Sequence, residues 1–532
     1  MFFTKILNKS INFKSNLFYL IILFYAIIGV YLSLNVGITH DEHHNFIVGE
    51  ANKKKILNIF FNKNFQISEL EGLNIYYGSG FHLLTIPIDY ILNFILDLGY
   101  ISSESKGLLL KHPSVFIFFV ISGIYLRRII YHITKNKNYS SICAFFYLSY
   151  PYLFGHSLFN IKDIPFLSVW LICTYYIIDI SNYFFLKKNI KLKKILILAA
   201  LTAYLLSIRI SGILIFFEYL IFFIFTINYT NYKYFLFFKN FFKQIFVFIF
   251  FTLVLFYILS PSYWHNPLEV INGIKAMSQH EQTVCTITLG ECMKAQNLPA
   301  SYMPIWFFFK LPILILFGFI YFIFKEKRIF STTKNILTIA PLLVSSFSII
   351  FLLILFNVNL YDEIRQVMFL IPLFFIISMS ALFILPNKLS YALLCIFIIF
   401  FFYQNIKIFP YNYVWLNNLS IFTGVNNKFE LDYWGVSSKK IANFINQENL
   451  DENICTISIR DNGIKDFVEN KKACFLPFSK LHQKKKRPFY VALTERSIKK
   501  GLPNNCKNIY NEEININFSR EKLVMAKVFK CD

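Results

Sequence analysis

Long apolar runs alternate with short polar segments along most of the chain. A helix needs about 20 consecutive apolar residues to cross the hydrocarbon core of a bilayer. We predict eleven transmembrane helices, at about 17–36, 113–130, 139–156, 165–184, 195–208, 212–228, 244–260, 304–323, 336–356, 366–385 and 389–405. The pattern therefore predicts a polytopic α-helical membrane protein.

A twelfth apolar run, at 78–98, contains Pro87, Asp89 and Asp97. Counting this run as a full crossing would place the basic cluster that follows it on the wrong side of the membrane. We therefore predict a re-entrant or interfacial helix in the first outer loop. The alternative is a twelfth span.

Lysine and arginine recur between pairs of apolar runs, as expected for cytoplasmic loops. The clusters that set this orientation comprise Lys5, Lys9, Lys14, Arg127, Arg128, Lys187, Lys188, Lys239, Lys243, Lys325, Lys327, Arg328 and Lys388. They predict a cytoplasmic N-terminus, a retained first span, a long outer loop at 37–112 and an external C-terminal segment. Six of the nine cysteines lie in predicted external segments, where disulfides can form.

The chain divides into a transmembrane domain at 1–410 and a soluble C-terminal domain at 411–532. In the second part KKIANFINQ has helical spacing, whereas NICTISI, FYVAL and KLVMAKVF are typical of short strands. A small α/β domain is predicted there.

Composition agrees with a membrane location. The 532 residues are 56% hydrophobic and 16% charged, whereas soluble domains carry about 25% charged residues. The net charge of +23 is explained by basic residues beside membrane spans. We therefore expect membrane lipids, and no nucleic acid, as partners.

Three polar segments fall on the outer face in this topology. They are GITHDEHHN at 37–45, GHSLFNIKDIPF at 155–166 and LYDEIRQVMF at 360–369. Charged side chains near a membrane core are costly and therefore indicate function.

Three cations at outward span ends have no role in orienting the chain. Lys162, Arg209 and Arg365 could together bind an anionic group such as a lipid phosphate. The alternative is local pairing, of Lys162 with Asp163 and of Arg365 with Asp362.

A carboxylate near an acceptor hydroxyl can remove its proton as the oxygen attacks. A phosphate is already a good leaving group, so one base and a set of cations suffice for single-displacement glycosyl transfer. The His40–His44 stretch could instead bind a divalent metal, although it lacks the HExxH order of zinc proteases. Hydrogen bonding within the loop is the simpler interpretation, and no metal is required.

Several segments resemble one family. An acidic pair opening the first outer loop, here Asp41–Glu42, is typical of GT-C glycosyltransferases. The segments PYLFGHSLFNIKDIPF and YDEIRQVMFLIP, and the DYWG motif within 411–445, resemble bacterial members of glycosyltransferase family 39. That family includes the dolichyl-phosphate-mannose protein mannosyltransferases and relatives similar to the aminoarabinose transferases of lipid A. One departure is Gln366, where relatives often have His.

The resemblance implies a GT-C-type fold with juxtamembrane helices in the first outer loop. It also implies a polyprenyl-phosphate sugar donor and Asp41 as the general base. The predicted site residues are Asp41, Glu42 and Asp163 as catalytic acids, Lys162, Arg209 and Arg365 as donor-phosphate contacts, and His44, His156 and Tyr361 as cavity-lining side chains.

The predicted function is that of a mannosyltransferase-like membrane enzyme. It would move a hexose from polyprenyl phosphate to a hydroxyl of a lipid, protein or glycan acceptor. The predicted location is the bacterial inner membrane, with the active site and the C-terminal domain in the periplasm. The alternatives are a ligase or polymerase of lipid-linked glycans, and a transporter or flippase of a polyprenyl-linked glycan.

Overall fold

The computed structural model describes residues 15–61, 63, 70, 72–96, 103–186, 190–230, 234–280, 285–448, 455–458, 461–470, 474–477, 489–494, 505–517, 519 and 521–531. Of the basic residues used to orient the chain, Lys5, Lys9, Lys14, Lys187 and Lys188 lie outside these ranges.

Helices account for most of the described chain. The α-helices are α1 (Ser15–Ser33), α2 (His40–Phe61), α3 (Gly80–Ile95), α4 (Ser103–Leu109), α5 (His112–Thr134), α6 (Lys137–Ser149), α7 (Pro151–Ser157), α8 (Asp163–Phe185), α9 (Leu192–Ile208), α10 (Ile215–Thr230), α11 (Tyr234–Leu259), α12 (Glu269–Ser278), α13 (Tyr302–Lys310), α14 (Ile313–Ile329), α15 (Thr333–Leu355), α16 (Ile371–Leu382), α17 (Asn387–Lys407), α18 (Ser420–Thr423), α19 (Ser438–Gln447) and α20 (Asp461–Lys465).

Strands occur in two places. They are β1 (Thr286–Thr288), β2 (Glu291–Met293), β3 (Thr456–Ser458), β4 (Phe475–Pro477), β5 (Phe489–Thr494), β6 (Cys506–Ile514) and β7 (Leu523–Cys531). The strands β1 and β2 form a hairpin, and the other five form one sheet in the order β4-β3-β5-β7-β6. In that sheet β3 is parallel to β4 and β5, whereas β7 is antiparallel to β5 and β6.

Within the described ranges, eight helical segments are long and apolar enough to cross a membrane, and a bent pair makes a ninth. The remaining two predicted spans are shorter: α9 has 17 residues, and the run at 139–156 is divided between α6 and α7. Each predicted run thus coincides with a helix or a helix pair. The chain is an integral membrane protein, and the predicted polytopic helical fold with a small C-terminal α/β domain is confirmed.

Proline explains both broken spans. Tyr150 is extended, with ψ 116°, immediately before Pro151, and Leu311 is extended, with ψ 140°, before Pro312. The ring of a proline disfavours the helical conformation of the residue before it. The helices α13 and α14 therefore meet at 111°.

The run at 78–98 forms the 16-residue helix α3. At about 1.5 Å per residue it is about 24 Å long, which is less than the hydrocarbon core. Its apolar residues Ile91 and Phe94 are exposed, whereas Asp89 forms an ion pair with the buried Lys111. The dimensions fit the predicted interfacial helix, and its position relative to the bilayer stays a prediction.

The C-terminal sheet shares its core with the first outer loop. Ala492 and Val528 of the sheet pack with Ile441 of α19, and this group continues into Ile38 and Leu108. Residues 411–436, in contrast, pack largely into the core of the helical bundle. The sheet is therefore fixed to the loop that carries the start of α2.

The six cysteines of the predicted external segments form three disulfides. The pairs are Cys285–Cys292, Cys455–Cys474 and Cys506–Cys531. The other three cysteines lie in α6, α8 and α17 and are free thiols. This division is expected if one face of the membrane is oxidising and the other is not.

Candidate active site

Four helix ends bring the predicted polar segments together. Asp41 lies in the first turn of α2, Asp163 begins α8, Arg209 follows the end of α9, and Arg365 begins the short 3-10 helix Arg365–Leu370. Acidic residues favour the N-terminal turn of a helix because the helix dipole is positive there. These side chains, with Lys162 and Asp362, are called the Arg365 cluster below.

Arg365 is at the centre of this cluster and is 7% exposed. Its Nη1 lies 3.3 Å from Asp41 Oδ2 and 3.8 Å from Asp163 Oδ2, and its Nη2 lies 3.1 Å from Asp362 Oδ2. Its buried Nε donates to no described residue. Arg365 therefore joins all three acids and retains one donor.

Two aromatic rings hold the guanidinium of Arg365. Its central carbon lies 5.0 Å from the ring centre of Tyr361 and 4.9 Å from that of Trp434. Such cation–π contacts stabilise a planar guanidinium and limit its rotation. The DYWG motif thus contributes directly to the cluster, through Trp434.

Asp163 is almost fully buried and has fixed partners. Arg209 forms an ion pair with its Oδ1, and Asn160 donates to its Oδ2 at 3.0 Å. The Asp163 N–H also donates to Asn160 Oδ1 at 2.8 Å. Because its oxygens are occupied, Asp163 is suited to orient Arg209 and Arg365 rather than to accept a proton from a substrate.

Asp41 is the accessible carboxylate of the cluster. Its side chain is 41% exposed, compared with 2% for Asp163 and 8% for Asp362. A substrate hydroxyl could therefore approach Asp41 while the other two acids stay covered.

Lys162 differs from the other cations. Its Nζ lies 3.9 Å from the ring centre of Tyr77 and donates to Asn45 Oδ1 at 3.5 Å, and no ion pair joins it to a carboxylate among the described residues. Burial and the nearby Arg209 guanidinium together lower the pKa of Lys162 to about 7, against the opposing effect of Asp163 and Asp41. An anion bound here would neutralise an uncompensated charge.

A cavity of about 170 Å³ adjoins these cations. Lys162, Arg209 and Gln366 form its polar wall, and Leu214, Leu353 and Phe369 belong to its apolar wall. The Tyr361 N–H donates to Gln366 Oε1 at 3.3 Å. A cavity lined by two cations and by several apolar side chains suits an amphipathic anion.

Glu42 is not brought into the cluster. Its Oε1 accepts from the Thr39 N–H and from Thr39 Oγ1, both at 2.8 Å, which closes the first turn of α2 as a capping box. Its Oε2 lies 2.7 Å from Nε2 of the buried His112. The carboxylate therefore fastens α2 to α5 and faces away from Asp41.

The predicted cavity-lining residues are distributed around the cluster. His44 packs on Tyr77 with ring centres 4.6 Å apart, and burial lowers its pKa, with Lys162 adding to the effect. His156 is fully buried, its Nδ1 accepts from Asn160 Nδ2 at 3.0 Å, and its ring packs against Trp434. His156 thus helps to hold Asn160, which donates to Asp163.

The His40–His44 stretch does not converge on one point. His43 Nε2 lies 2.9 Å from Asp466 of the C-terminal domain, whereas His44 faces Tyr77. In the portion of the chain that the structure covers, no three His, Cys, Asp or Glu side chains are placed to hold a metal ion.

Sequence reasoning missed several residues of this region. Asn45, Tyr77, Asn160 and Trp434 all contact the cluster. Asn160 lies in the segment 155–166, which the sequence marked through its charged residues. DYWG was recognised as a motif, but its role was not. Trp434 and Arg365 are about 70 residues apart in the chain, and only the folded structure shows that they are in contact. No sequence motif marked Tyr77 as part of the site.

Comparison with known proteins adds little sequence information. No protein-family model matches the chain, and no curated protein matches it. Among solved structures it is similar to two crystal structures of ArnT from Cupriavidus metallidurans. The apo structure has 10% identity and a TM-score of 0.48, and the structure bound to undecaprenyl phosphate has 11% identity and a TM-score of 0.47. Each match covers 96% of this chain and 97% of the ArnT chain.

Proposed function

We propose that this protein is a membrane glycosyltransferase that takes a sugar from a polyprenyl-phosphate donor. The observation that carries the proposal is the grouping of one exposed acid with the buried Arg365 and the half-buried Lys162 and Arg209. Asp41 lies 3.3 Å from Arg365, and Lys162 and Arg209 line an apolar-walled cavity beside them.

The donor phosphate binds next to Lys162 and Arg209, and Arg365 completes its surroundings. Guanidinium groups suit this role because their planar fork binds two phosphate oxygens. The prenyl chain leaves the cavity along its apolar wall, towards Leu214 and Leu353. Burial of the cations strengthens their attraction for a lipid phosphate, since little water competes there.

The reaction is a single displacement at the anomeric carbon. The Asp41 carboxylate takes the proton of the acceptor hydroxyl as the hydroxyl oxygen forms its bond to that carbon. The bond between the anomeric carbon and the phosphate oxygen breaks, and its electron pair leaves with polyprenyl phosphate. Lys162, Arg209 and Arg365 stabilise the charge that develops on the phosphate.

Asp163 has a different role from Asp41 in this proposal. Its ion pair with Arg209 and its hydrogen bonds with Asn160 keep Arg209 and Arg365 at a fixed separation. His44 and Tyr361 form part of the wall around the sugar. The sugar is a hexose, as the mannosyltransferase-like motifs suggest, and the acceptor is a hydroxyl of a lipid, protein or glycan.

The cluster faces the periplasm of a bacterial inner membrane in this proposal. The three disulfides lie in other segments of the chain that are predicted to be external, and the free thiols lie in the helices. The N-terminus is cytoplasmic, and the C-terminal domain covers the outer loop.

The test is sugar transfer by the purified full-length protein in nanodiscs. Radiolabelled polyprenyl-phosphate hexose is supplied with acceptor lipids and glycans extracted from bacterial membranes, and release and transfer of the sugar are counted. Loss of a positioned base costs about 10²–10⁴-fold in rate, so Asp41→Asn is expected to lose activity to that extent while donor binding remains.

The matched control is Asp179→Asn. Asp179 lies on α8 like Asp163, but it pairs with Lys194 near the other end of that helix. It is expected to retain wild-type turnover. If wild type moves the donor across a bilayer and never cleaves it, the enzyme proposal is wrong and a flippase is indicated.

A further inference from the structure

The backbone immediately before Arg365 is left-handed at two consecutive residues. Asp362 has φ 56° and Glu363 has φ 66°. Residues with a Cβ adopt this conformation at a cost, and they keep it only where the surrounding structure fixes them. The direction in which Arg365 leaves the chain depends on this turn.

A fully buried ion pair fixes the second of these residues. Lys310 Nζ lies 2.8 Å from Glu363 Oε1, and both side chains are 0% exposed. Tyr302 Oη donates to the Glu363 carbonyl at 3.2 Å, and the Asp362 N–H donates to Thr286 Oγ1 at 2.8 Å. Thr286 belongs to the hairpin that the Cys285–Cys292 disulfide closes.

Lys310 also reaches the other surface that holds Arg365. Its Nζ donates to the Tyr413 carbonyl at 3.2 Å, and Tyr413 Oη donates to Asp432 Oδ1 at 2.5 Å. Asp432 opens the DYWG turn, which places the Trp434 ring 4.9 Å from the guanidinium. One ammonium thus connects the turn before Arg365 with the turn that carries its aromatic support.

We propose that Lys310 and Glu363 are positioning residues, which set the location of the Arg365 guanidinium between Asp41, Asp163 and Trp434. The inference rests on the proposed function, because it assigns Arg365 to the donor phosphate. Both side chains are 0% exposed and so cannot touch a substrate, and their effect on the reaction therefore passes through Arg365.

The physical reason is that a buried charge without its partner is unstable. Removing one partner leaves an uncompensated charge, and the nearby segments move to solvate or neutralise it. A displacement of about 1 Å in a binding group costs about 100-fold in rate. We therefore expect Glu363→Gln to lower kcat/KM for the donor about 10- to 100-fold.

The deciding experiment is a double-mutant cycle with Arg365. If Glu363 acts through Arg365, Glu363→Gln lowers kcat/KM in the wild-type background and has little further effect in the Arg365→Ala background. A purely structural role would change the amount of folded protein and would leave the two losses multiplicative. Equal fold-losses in both backgrounds, or no loss in wild type, would overturn the proposal.

A second variant covers the case in which Glu363→Gln does not fold. Lys310→Met with Glu363→Gln removes both charges, which membrane-buried pairs tolerate better than the loss of one. The proposal expects this protein to fold and to show the same reduced kcat/KM. A folded double variant with wild-type kcat/KM would contradict it.

A third readout requires no substrate and separates the two proposals. A cryo-electron microscopy structure of the folded variant is expected to show the Arg365 guanidinium displaced from Asp41 and Trp434. An unmoved guanidinium refutes the positioning role whatever the protein's activity. Wild-type protein that cleaves no polyprenyl-phosphate sugar refutes the proposed function and leaves this structural result standing.

Discussion

The molecule contains two charged clusters, and they differ in whether each cation is paired with a carboxylate. The Lys111 cluster joins Glu50, Lys53, His82, Asp89 and Lys111. Lys111 forms an ion pair with Asp89, donates to the His82 carbonyl at 3.0 Å and to Thr85 Oγ1 at 2.7 Å, and is 2% exposed. Lys53 lies 3.0 Å from Glu50.

In the Arg365 cluster the compensation is incomplete. Lys162 has no ion-pair partner among the described residues and Asp41 is 41% exposed, whereas Lys53 and Lys111 are each paired with a carboxylate. Each cluster also has one buried polar atom without a partner among the described residues, Arg365 Nε in one and Asp89 Oδ1 in the other. Both clusters contain buried cations in the same part of the molecule. We therefore propose that the active site is marked by a cation without an ion-pair partner beside an exposed carboxylate, and not by charge near the membrane alone.

The largest expected effect concerns the compensated cluster. Lys111→Met leaves Asp89 buried without its cation, and breaking a buried pair in this way costs about 3–5 kcal/mol of stability. Melting of the purified protein in detergent measures the loss, with the exposed Lys327→Met as the control. Sugar transfer per folded molecule is expected to stay at the wild-type level, and a specific loss of turnover would remove the distinction between the clusters.

The next effect concerns the cation at the centre of the Arg365 cluster. Arg365→Ala removes one preorganised donor from the developing phosphate charge, which costs about 10²–10³-fold in kcat. Arg128→Ala is the matched control, because Arg128 packs on Tyr125 at the opposite end of the bundle. A wild-type rate for Arg365→Ala would exclude Arg365 from the reaction.

The pH dependence of donor binding gives a smaller effect with a defined sign. Only the protonated form of Lys162 attracts phosphate, and its pKa in the free protein is about 7. The bound phosphate raises that pKa, so affinity is highest below pH 7 and falls up to about tenfold per pH unit above it. Equilibrium binding of the donor between pH 6 and 9 tests this range.

Lys162→Arg provides the internal comparison for that titration. Arginine keeps its charge throughout the range, so this variant is expected to bind with little dependence on pH. A pH profile shared by Lys162→Arg and wild type would show that another group titrates.

The smallest effect is expected at the residue next to Asp41. Glu42→Gln keeps an acceptor for Thr39 and weakens one contact with His112, which costs about 1 kcal/mol of stability. Turnover per folded molecule is expected to be unchanged, in contrast with Asp41→Asn. Equal losses of turnover in the two variants would mean that Glu42 takes part in the chemistry.

Much of the architecture could be predicted because it is local. Apolar runs predicted the helices, and α19, β3, β5 and β7 fall where the period of apolar residues placed them. Lysine and arginine positions predicted that Asp41, Asp163 and Arg365 share one face, and the structure brings these three side chains together. The lengths of the runs did not predict that two of them are broken before Pro151 and Pro312.

The roles of individual acids depend on distant partners and could not be predicted. Asp41 and Glu42 are adjacent, yet Glu42 is turned away by His112, which is 70 residues later in the chain. Lys310 interrupts the predicted span at 304–323, so its charge is visible in the sequence. Its partner Glu363 comes from another segment, and the pairing could not be predicted. The strands β4 and β6 were missed because they are short or largely polar.

The most direct test of the account is binding of polyprenyl phosphate without a sugar. Affinity for the protein in nanodiscs is measured for wild type, for Lys162→Met with Arg209→Met, and for Lys111→Met. The account predicts that the first variant loses at least about tenfold in affinity, roughly one charge-assisted hydrogen bond, and that Lys111→Met binds like wild type. Wild-type affinity after loss of Lys162 and Arg209, or an equal loss in Lys111→Met, would contradict it.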